Sequence, residues 1–382
     1  MNNKDVLEII KQGENSAVEF KERKIRAESL AKEIVAFANM NGGVILLGVD
    51  DLGKIVGIDP ENFNYEEWVC NISRNNVVPS IQVEYLLFQM DTKIIAVITI
   101  PKGKDKPYQT VDGKYLVRVG STNRLASINE LMRLFQQSGV FHYDNISLEK
   151  TSRKNLNLQK VASYFERYKL DFELLSEEDR VSLMKNSDIL SDNGELTVAG
   201  LLIFAINPQR YLMNASISFA HFKGNEISSE LIDKQNIEGT LDYQIDITVA
   251  IIKNNIKYPS TIVGAKRTGE KTYPEKVFRE LVVNACCHRN YSIKGSRIRI
   301  FLFDDRLEVI SPGKLPNTVN VEKLRAGVSY AVNPVILKFL ENLSYIDKLG
   351  RGLPMVCREA GIMNKEIIFE EIGEEFKVTL FI

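Results

Sequence analysis

The sequence predicts an α+β protein of more than one domain, and three observations carry that reading. Strand-length apolar runs at 44–49 and 94–100 stand beside a long amphipathic stretch at 27–41, so neither the strand nor the helix period runs alone through the chain. Turn signals at Asp51-Leu-Gly53, Met90-Asp-Thr92 and Asp112-Gly113 set neighbouring strands against each other. The 382 residues exceed one ordinary domain, and 44% hydrophobic residues suffice for packed cores.

Taken in order, 5–11 reads as a short helix, and the second half of 13–21 alternates like a strand. Residues 27–41 form a strong helix, with Leu30, Ile34, Phe37 and Ala38 on one stripe and Asn41-Gly42-Gly43 as its stop. A buried strand over 44–50 turns into a second strand over 54–58. A helix over 65–75 carries Trp68, strands follow over 80–89 and 93–100, and Pro101 ends their hairpin. The loop Lys102-Gly-Lys-Asp-Lys-Pro107 is basic, 114–119 is a strand and 128–137 is a helix, closing a domain over 1–144.

Residues 145–156 are polar and irregular and read as a linker into a middle α/β segment over 145–260. There 158–169 and 177–186 are helical, 196–205 is apolar throughout like a buried helix, 215–222 alternates as a strand and 240–255 is a long helix. The last domain, 261–382, holds a helix over 278–292, strands over 297–303 and 307–310, and helices over 335–341 and 350–360. Strands over 366–371 and 375–382 close it.

Composition excludes several classes. Lys and Arg number 49 against 50 Asp and Glu, so a uniformly polycationic coat for nucleic acid is ruled out and any such contact is local. Cys70, Cys286, Cys287 and Cys357 lack zinc spacing, and adjacent cysteines on a helix diverge, so free thiols in a reduced cytoplasm are expected. The N-terminus opens no apolar signal core and no apolar run reaches membrane length, which predicts a soluble protein without a membrane partner.

The chemistry concentrates in two places. On the helix over 278–292, Glu280 and Asn284 lie one turn apart on the face opposite Phe278, Leu281, Val282 and Ala285. A carboxylate can orient water while an amide oxygen holds a divalent metal on phosphates; the same pair also reads as a chance Glu and Asn on a surface helix. Downstream come Ile310-Ser-Pro-Gly-Lys-Leu-Pro316 and Leu349-Gly-Arg-Gly-Leu353, the latter able to bring backbone N–H groups close to phosphate. This ordered set resembles the ATP-binding fold of gyrase, MutL, heat-shock chaperones and histidine kinases (the GHKL class, a Bergerat α/β sandwich), in a divergent branch labelled RecG-like. The resemblance implies ATP with Mg²⁺: Asn284 holding the metal, Glu280 as base for the attacking water, and 314–348 as lid. Gly313, Gly350 and Gly352 would lie around the nucleotide, with His288 and Arg289 reaching a phosphate; His288 equally reads as a helix-end cap. The wider class reads adenine with an Asp, whereas the matching turn here is Ser311-Pro-Gly313. No Gly-x-x-x-x-Gly-Lys-[Ser/Thr] loop is present, so a P-loop helicase motor is excluded.

The second concentration is N-terminal. Glu14, Glu19 and Lys21, then Asn41-Gly-Gly43 and a strand ending Gly-Val-Asp50-Asp51, resemble the Schlafen-type AlbA-like domain, and Tyr115-Leu-Val-Arg-Val-Gly-Ser-Thr-Asn-Arg124 extends the match. In eukaryotic Schlafens a Glu, Glu, Asp triad binds metal and cuts RNA, which implies Mg²⁺ or Mn²⁺ at Glu14, Glu19 and Asp50, with Asp51 as the alternate to Asp50 and Lys21 stabilising added charge. The two glutamates also read as ion-pair partners of Lys21 or Arg23. Arg23, Lys24, Arg26, Lys104, Arg118 and Arg124 are the candidate contacts to DNA or RNA phosphates, or else a solvated face, because residues 1–140 carry 17 Lys and Arg against 18 Asp and Glu. The combined expectation is an ATP-binding protein acting on nucleic acid, with a metal-dependent nuclease centre gated by nucleotide. A non-catalytic, ATP-sensing DNA-binding regulator is the alternative. GHKL relatives also imply a homo-oligomer.

Overall fold

The computed structural model describes residues 2–256, 260–263, 266–269, 272–316, 319–328, 330–346 and 350–382, with 260–263 and 266–269 as backbone only. It is α+β, in two compact units, Met1–Phe141 and His142–Ile382.

In the first unit a four-stranded sheet runs in the order Val18–Lys21, Gly43–Leu47, Lys93–Ile100, Glu84–Met90. The first pair is parallel because the helix Ala27–Asn39 carries the chain across; the other two are antiparallel. The two-stride pleat then sorts the side chains. Ile45, Leu47, Ala96, Ile98 and Ile100 pack with residues of Ala27–Asn39 and of the helix Tyr65–Asn75, whereas Leu46, Ile95 and Val97 pack with Val6 of the N-terminal helix Asn3–Gln12. Gly43 is required where the chain re-enters the sheet, since a Cβ there would stand 2.2 Å from the Phe37 ring.

Two differences from the sequence reading have local causes. Residues 54–58 form no strand, only single bridges from Ile55 to Val49 and from Ile58 to Ile94. The Asp50 carboxylate accepts the N–H groups of Leu52 and Lys54, and the N–H groups of Val56 and Gly57 fold back onto the Gly48 carbonyl, so the segment curls. Conversely Thr122–Leu125, too polar to show alternation, is a strand paired with Leu116–Val119.

In the second unit a six-stranded sheet has the order Leu231–Ile237, Ile217–Phe222, Ile298–Leu302, Arg306–Pro312, Glu375–Phe381, Ile367–Ile372. Its first two strands precede residue 260 and the other four follow it, so the sequence boundary at 260 falls inside this unit. Residues 145–156 are pinned here too, by bridges from Ser147 to Thr197 and from Leu156 to Ala205. The helix Val198–Phe204 is buried at every position, and Phe204 meets Tyr164 and Phe339 edge-on at 5.2 and 5.1 Å. The helices Leu241–Asn255 and Glu275–His288 pack together beside the sheet. Asp144 accepts the Val335 and Ile336 N–H groups at the start of the helix Pro334–Asn342.

Asn39 closes the first unit's core with three hydrogen bonds: its amide donates to the Tyr108 and Leu116 carbonyls and accepts the Tyr108 N–H, all within 2.7–2.9 Å. Asn39 is 1% exposed, so its removal strands backbone groups away from water. Asn39→Ala should therefore cost about 3 kcal/mol in urea unfolding, against less than about 0.5 for the exposed Asn41→Ala. Equal effects of the two would show that the buried bonds contribute nothing.

Candidate functional site

The helix Glu275–His288 begins after Pro274 and buries Val277, Phe278, Leu281, Val282, Cys286 and Cys287. That burial turns Glu280 and Asn284 outward on one face, as the four-residue spacing requires. The Asn284 amide donates to Glu280 Oε1 at 2.6 Å and to the Glu280 carbonyl at 2.8 Å. Its nitrogen is thereby committed, and the oxygen is the atom that a hard cation would take.

The helix Gly352–Ile362 starts against this pair. A Cβ at Gly352 would lie 1.7 Å from Glu280 Oε1, so with glycine there the helix can begin without displacing the Glu280 carboxylate. Gly327 and Gly350, both with left-handed backbones (φ 84 and 62), pass so closely that a Cβ at Gly350 would stand 2.6 Å from the Gly327 carbonyl oxygen. Around them opens a cavity of about 470 Å³. Glu280, Asn284, His288, Ser311 and Lys314 supply polar groups, and Val309, Leu324, Tyr330, Leu353 and Phe376 supply apolar wall. A cavity of this size, apolar with a few convergent polar groups and a helix start, suits a flat ring carrying phosphates.

Of the residues singled out in the sequence, Glu280, Asn284, His288, Gly313, Gly350 and Gly352 all line this cavity. Ser311 lines it too, but its hydroxyl donates to the Ala285 carbonyl. Lys314 pairs with Glu374 at 3.1 Å. Arg289 is the exception. The helix stops at His288, Arg289 is extended (φ −57, ψ 136), and its guanidinium turns into the following loop to donate to Ser296 O at 2.7 Å and lie 5.0 Å from the Tyr291 ring centre. The interval 314–348 includes the helices Val321–Arg325 and Pro334–Asn342; Asn317, Thr318, Ser329, Asp347 and Lys348, with Leu349 beyond them, lie outside the described residues.

The N-terminal carboxylates are distributed differently. Glu19, 5% exposed, accepts Arg118 Nη2 at 2.6 Å on one oxygen and Lys21 Nζ on the other. Glu14 accepts the Phe20 N–H at 2.8 Å, and Asp50 closes its own turn. Among the described residues no three of His, Cys, Asp or Glu gather as a metal site. A further carboxylate in this network is Glu33, which the sequence reading did not single out. It lies 3.4 Å from Arg118 and accepts the Asn123 amide, and burial followed by the charge of Glu19 raises its pKa.

Arg118 is not a surface contact. It is 4% exposed, donates to the Asn15 and Val18 carbonyls as well as to Glu19, and sits 4.4 Å over the Phe37 ring. Arg124 makes a bidentate pair with Glu130 at 2.8 and 2.6 Å. Arg23, Lys24, Arg26 and Lys104 remain exposed.

Comparison with known proteins finds two family matches in the chain. The family model "Schlafen, AlbA_2" matches residues 14–127. The model "Putative ATP-dependent DNA helicase recG C-terminal" matches 295–380, beginning beyond the Glu280 helix. The chain carries a Schlafen AlbA_2 domain and a recG C-terminal-type domain. No curated protein sequence matches. Among solved structures, the DIP2311 protein of Corynebacterium diphtheriae aligns over 96% of this chain and 75% of its own, at 19% identity and TM-score 0.49. The N-terminal domain of a "Putative ATP-dependent DNA Helicase RecG-related Protein" from Nitrosomonas europaea aligns over 34% of this chain and 95% of its own, at 25% identity and TM-score 0.26. No helix among the described residues is long and apolar enough to cross a membrane.

Burial pushes the His288 pKa from 6.5 down to about 4. The unfolded chain takes this proton below about pH 6.5 while the fold refuses it until about 4, so the site leaves stability intact above neutrality and subtracts from it as pH falls through that window. Nucleotide-free wild type should lose up to about 3 kcal/mol more than His288→Asn between pH 7 and pH 4 in urea titrations. Asp144, pushed up to about 6 by burial, titrates with the opposite sign in both proteins, so the difference isolates His288. Parallel losses would contradict a neutral, desolvated His288.

Proposed function

We propose that the protein binds ATP with Mg²⁺ in the cavity of the second unit and binds nucleic acid through the AlbA_2 domain, acting as a nucleotide-responsive nucleic-acid-binding protein. The observation that carries this reading is the convergence of Glu280, Asn284 and the start of the Gly352–Ile362 helix at one wall of a mainly apolar cavity. Phosphates would lie at Gly350 and Gly352, where no Cβ intrudes and the helix start offers N–H groups. The Asn284 oxygen would hold Mg²⁺, which neutralises phosphate charge when bound. Glu280, kept in place by the Asn284 amide, would take the proton of the attacking water. The apolar wall would hold the base by burial, and Ser311 offers no carboxylate to read an exocyclic amine.

In the AlbA_2 domain the groups favour binding over cleavage. Both oxygens of Glu19 are paired with cations, so Glu19 does not fit a shared divalent ion without breaking an ion pair, while Glu14 and Asp50 each already spend one oxygen on backbone N–H groups. The regulator reading is thus better supported than a nuclease centre gated by nucleotide.

Calorimetry with ATP and Mg²⁺ tests the first half. Glu280→Gln should keep ATP binding and lose about 100-fold or more of any turnover, whereas Asn284→Ala should lose the Mg²⁺ dependence of binding. Failure of wild type to bind ATP at millimolar concentration would sink the nucleotide reading. Incubation of labelled RNA and DNA with Mn²⁺ tests the second half. No cleavage above background is expected, and cleavage abolished by Glu14→Ala/Glu19→Ala would restore the nuclease assignment.

A further inference from the structure

A second concavity lies in the AlbA_2 domain, and neither Glu14, Glu19 nor Asp50 lines it. It is an open groove of about 370 Å³ between the loop after the strand Val18–Lys21 and the loop leading into the helix Tyr65–Asn75. Arg23 and Lys24 line one side, and Phe63, Tyr65 and Trp68 line the other. Phe63 is 47% exposed, a large apolar ring held out at a loop. It is not loose, because it meets Tyr65 edge-on at 4.7 Å and Trp68 at 6.0 Å. Trp68 is anchored on its inner side, packed against the buried core of the sheet and helices. The result is a fixed aromatic surface with an open face.

The cations opposite are uncommitted. Neither Arg23 nor Lys24 makes an ion pair or hydrogen bond with the described residues. The groove's one carboxylate, Asp59, accepts the Asn62 side-chain amide at 2.8 Å and so holds the loop. A duplex hides the faces of its bases inside the stack, whereas an unpaired nucleotide presents a ring face and a phosphate a few ångströms apart. Aromatic rings on one wall and two free cations on the other match that second pattern. They match a duplex backbone less well, since it offers no ring face to the aromatic residues.

We propose that this groove binds single-stranded nucleic acid, stacking an unpaired base on Phe63 and Trp68 while Arg23 and Lys24 hold the adjoining phosphate. The assignment rests on the nucleic-acid reading above and deepens it by naming strand state and contact residues. Affinity comes from stacking as well as charge, consistent with a domain whose charges nearly cancel.

The chain's single tryptophan stands in the groove and is the reporter. Full-length protein is titrated with oligo(dT) and oligo(U), and with a duplex of matched length, following Trp68 emission; anisotropy of fluorescein-labelled copies reports binding independently. Single strands should quench Trp68 and the duplex should do so far less. Phe63→Ala and Arg23→Ala/Lys24→Ala should each weaken single-strand binding roughly tenfold, and Phe63→Tyr should retain it. Circular dichroism melting verifies that the variants fold. If labelled single strands bind with Trp68 emission unchanged and Phe63→Ala binds like wild type, the groove assignment is overturned while the broader nucleic-acid reading stands. If no nucleic acid raises the anisotropy, both fall.

Discussion

The second unit depends on the closeness with which the Gly352–Ile362 helix begins against Glu280. With 1.7 Å between a would-be Cβ and a carboxylate oxygen, any side chain at 352 must displace either the helix or the glutamate. Placing a carboxylate at a helix start is favourable, because the exposed N–H groups and the helix dipole present positive charge there. That position is also where a phosphate would compete for the same groups. The arrangement thus combines a negative side chain, an amide that steadies it and a backbone able to receive an anion, all at one cavity wall.

The first unit depends instead on a buried arginine. Arg118 reaches beneath the first strand to bond two carbonyls and Glu19, with Phe37 covering its face. An unpaired guanidinium at 4% exposure would be costly, so Glu19 and Glu33 are tied to it as counter-charges. This explains why a strand residue that looked like a phosphate contact is unavailable, and why Glu19 is poorly placed to ligate a cation. The surface left for anionic partners is smaller than the sequence count of basic residues implies, and the Arg23 and Lys24 loop stands out within it.

Periodicity made much of the architecture readable. The stripe Leu30, Ile34, Phe37 and Ala38 is buried throughout, and the Glu280 and Asn284 spacing places both side chains on one polar face because burial of the opposite face leaves no other choice. What stayed hidden was long-range or polar. Leu231–Ile237 and Thr122–Leu125 are strands held by backbone pairing with little apolar alternation to announce them. Arg118 and Glu19 are 99 positions apart, and their bond exists because the hairpin that carries Arg118 packs against the helix Ala27–Asn39. Arg289 follows Asn284 by five residues, and a helix that ended one residue later would have carried it on the same turn as His288; its departure is a matter of one residue's backbone angles.

The most direct test of the nucleotide account is a crystal structure with a non-hydrolysable ATP analogue and Mg²⁺. The account predicts phosphates against Gly350 and Gly352, the metal on the Asn284 side-chain oxygen and Glu280 facing the terminal phosphate. An analogue bound with its phosphates away from these residues, or absent from the cavity at saturating concentration, would contradict it.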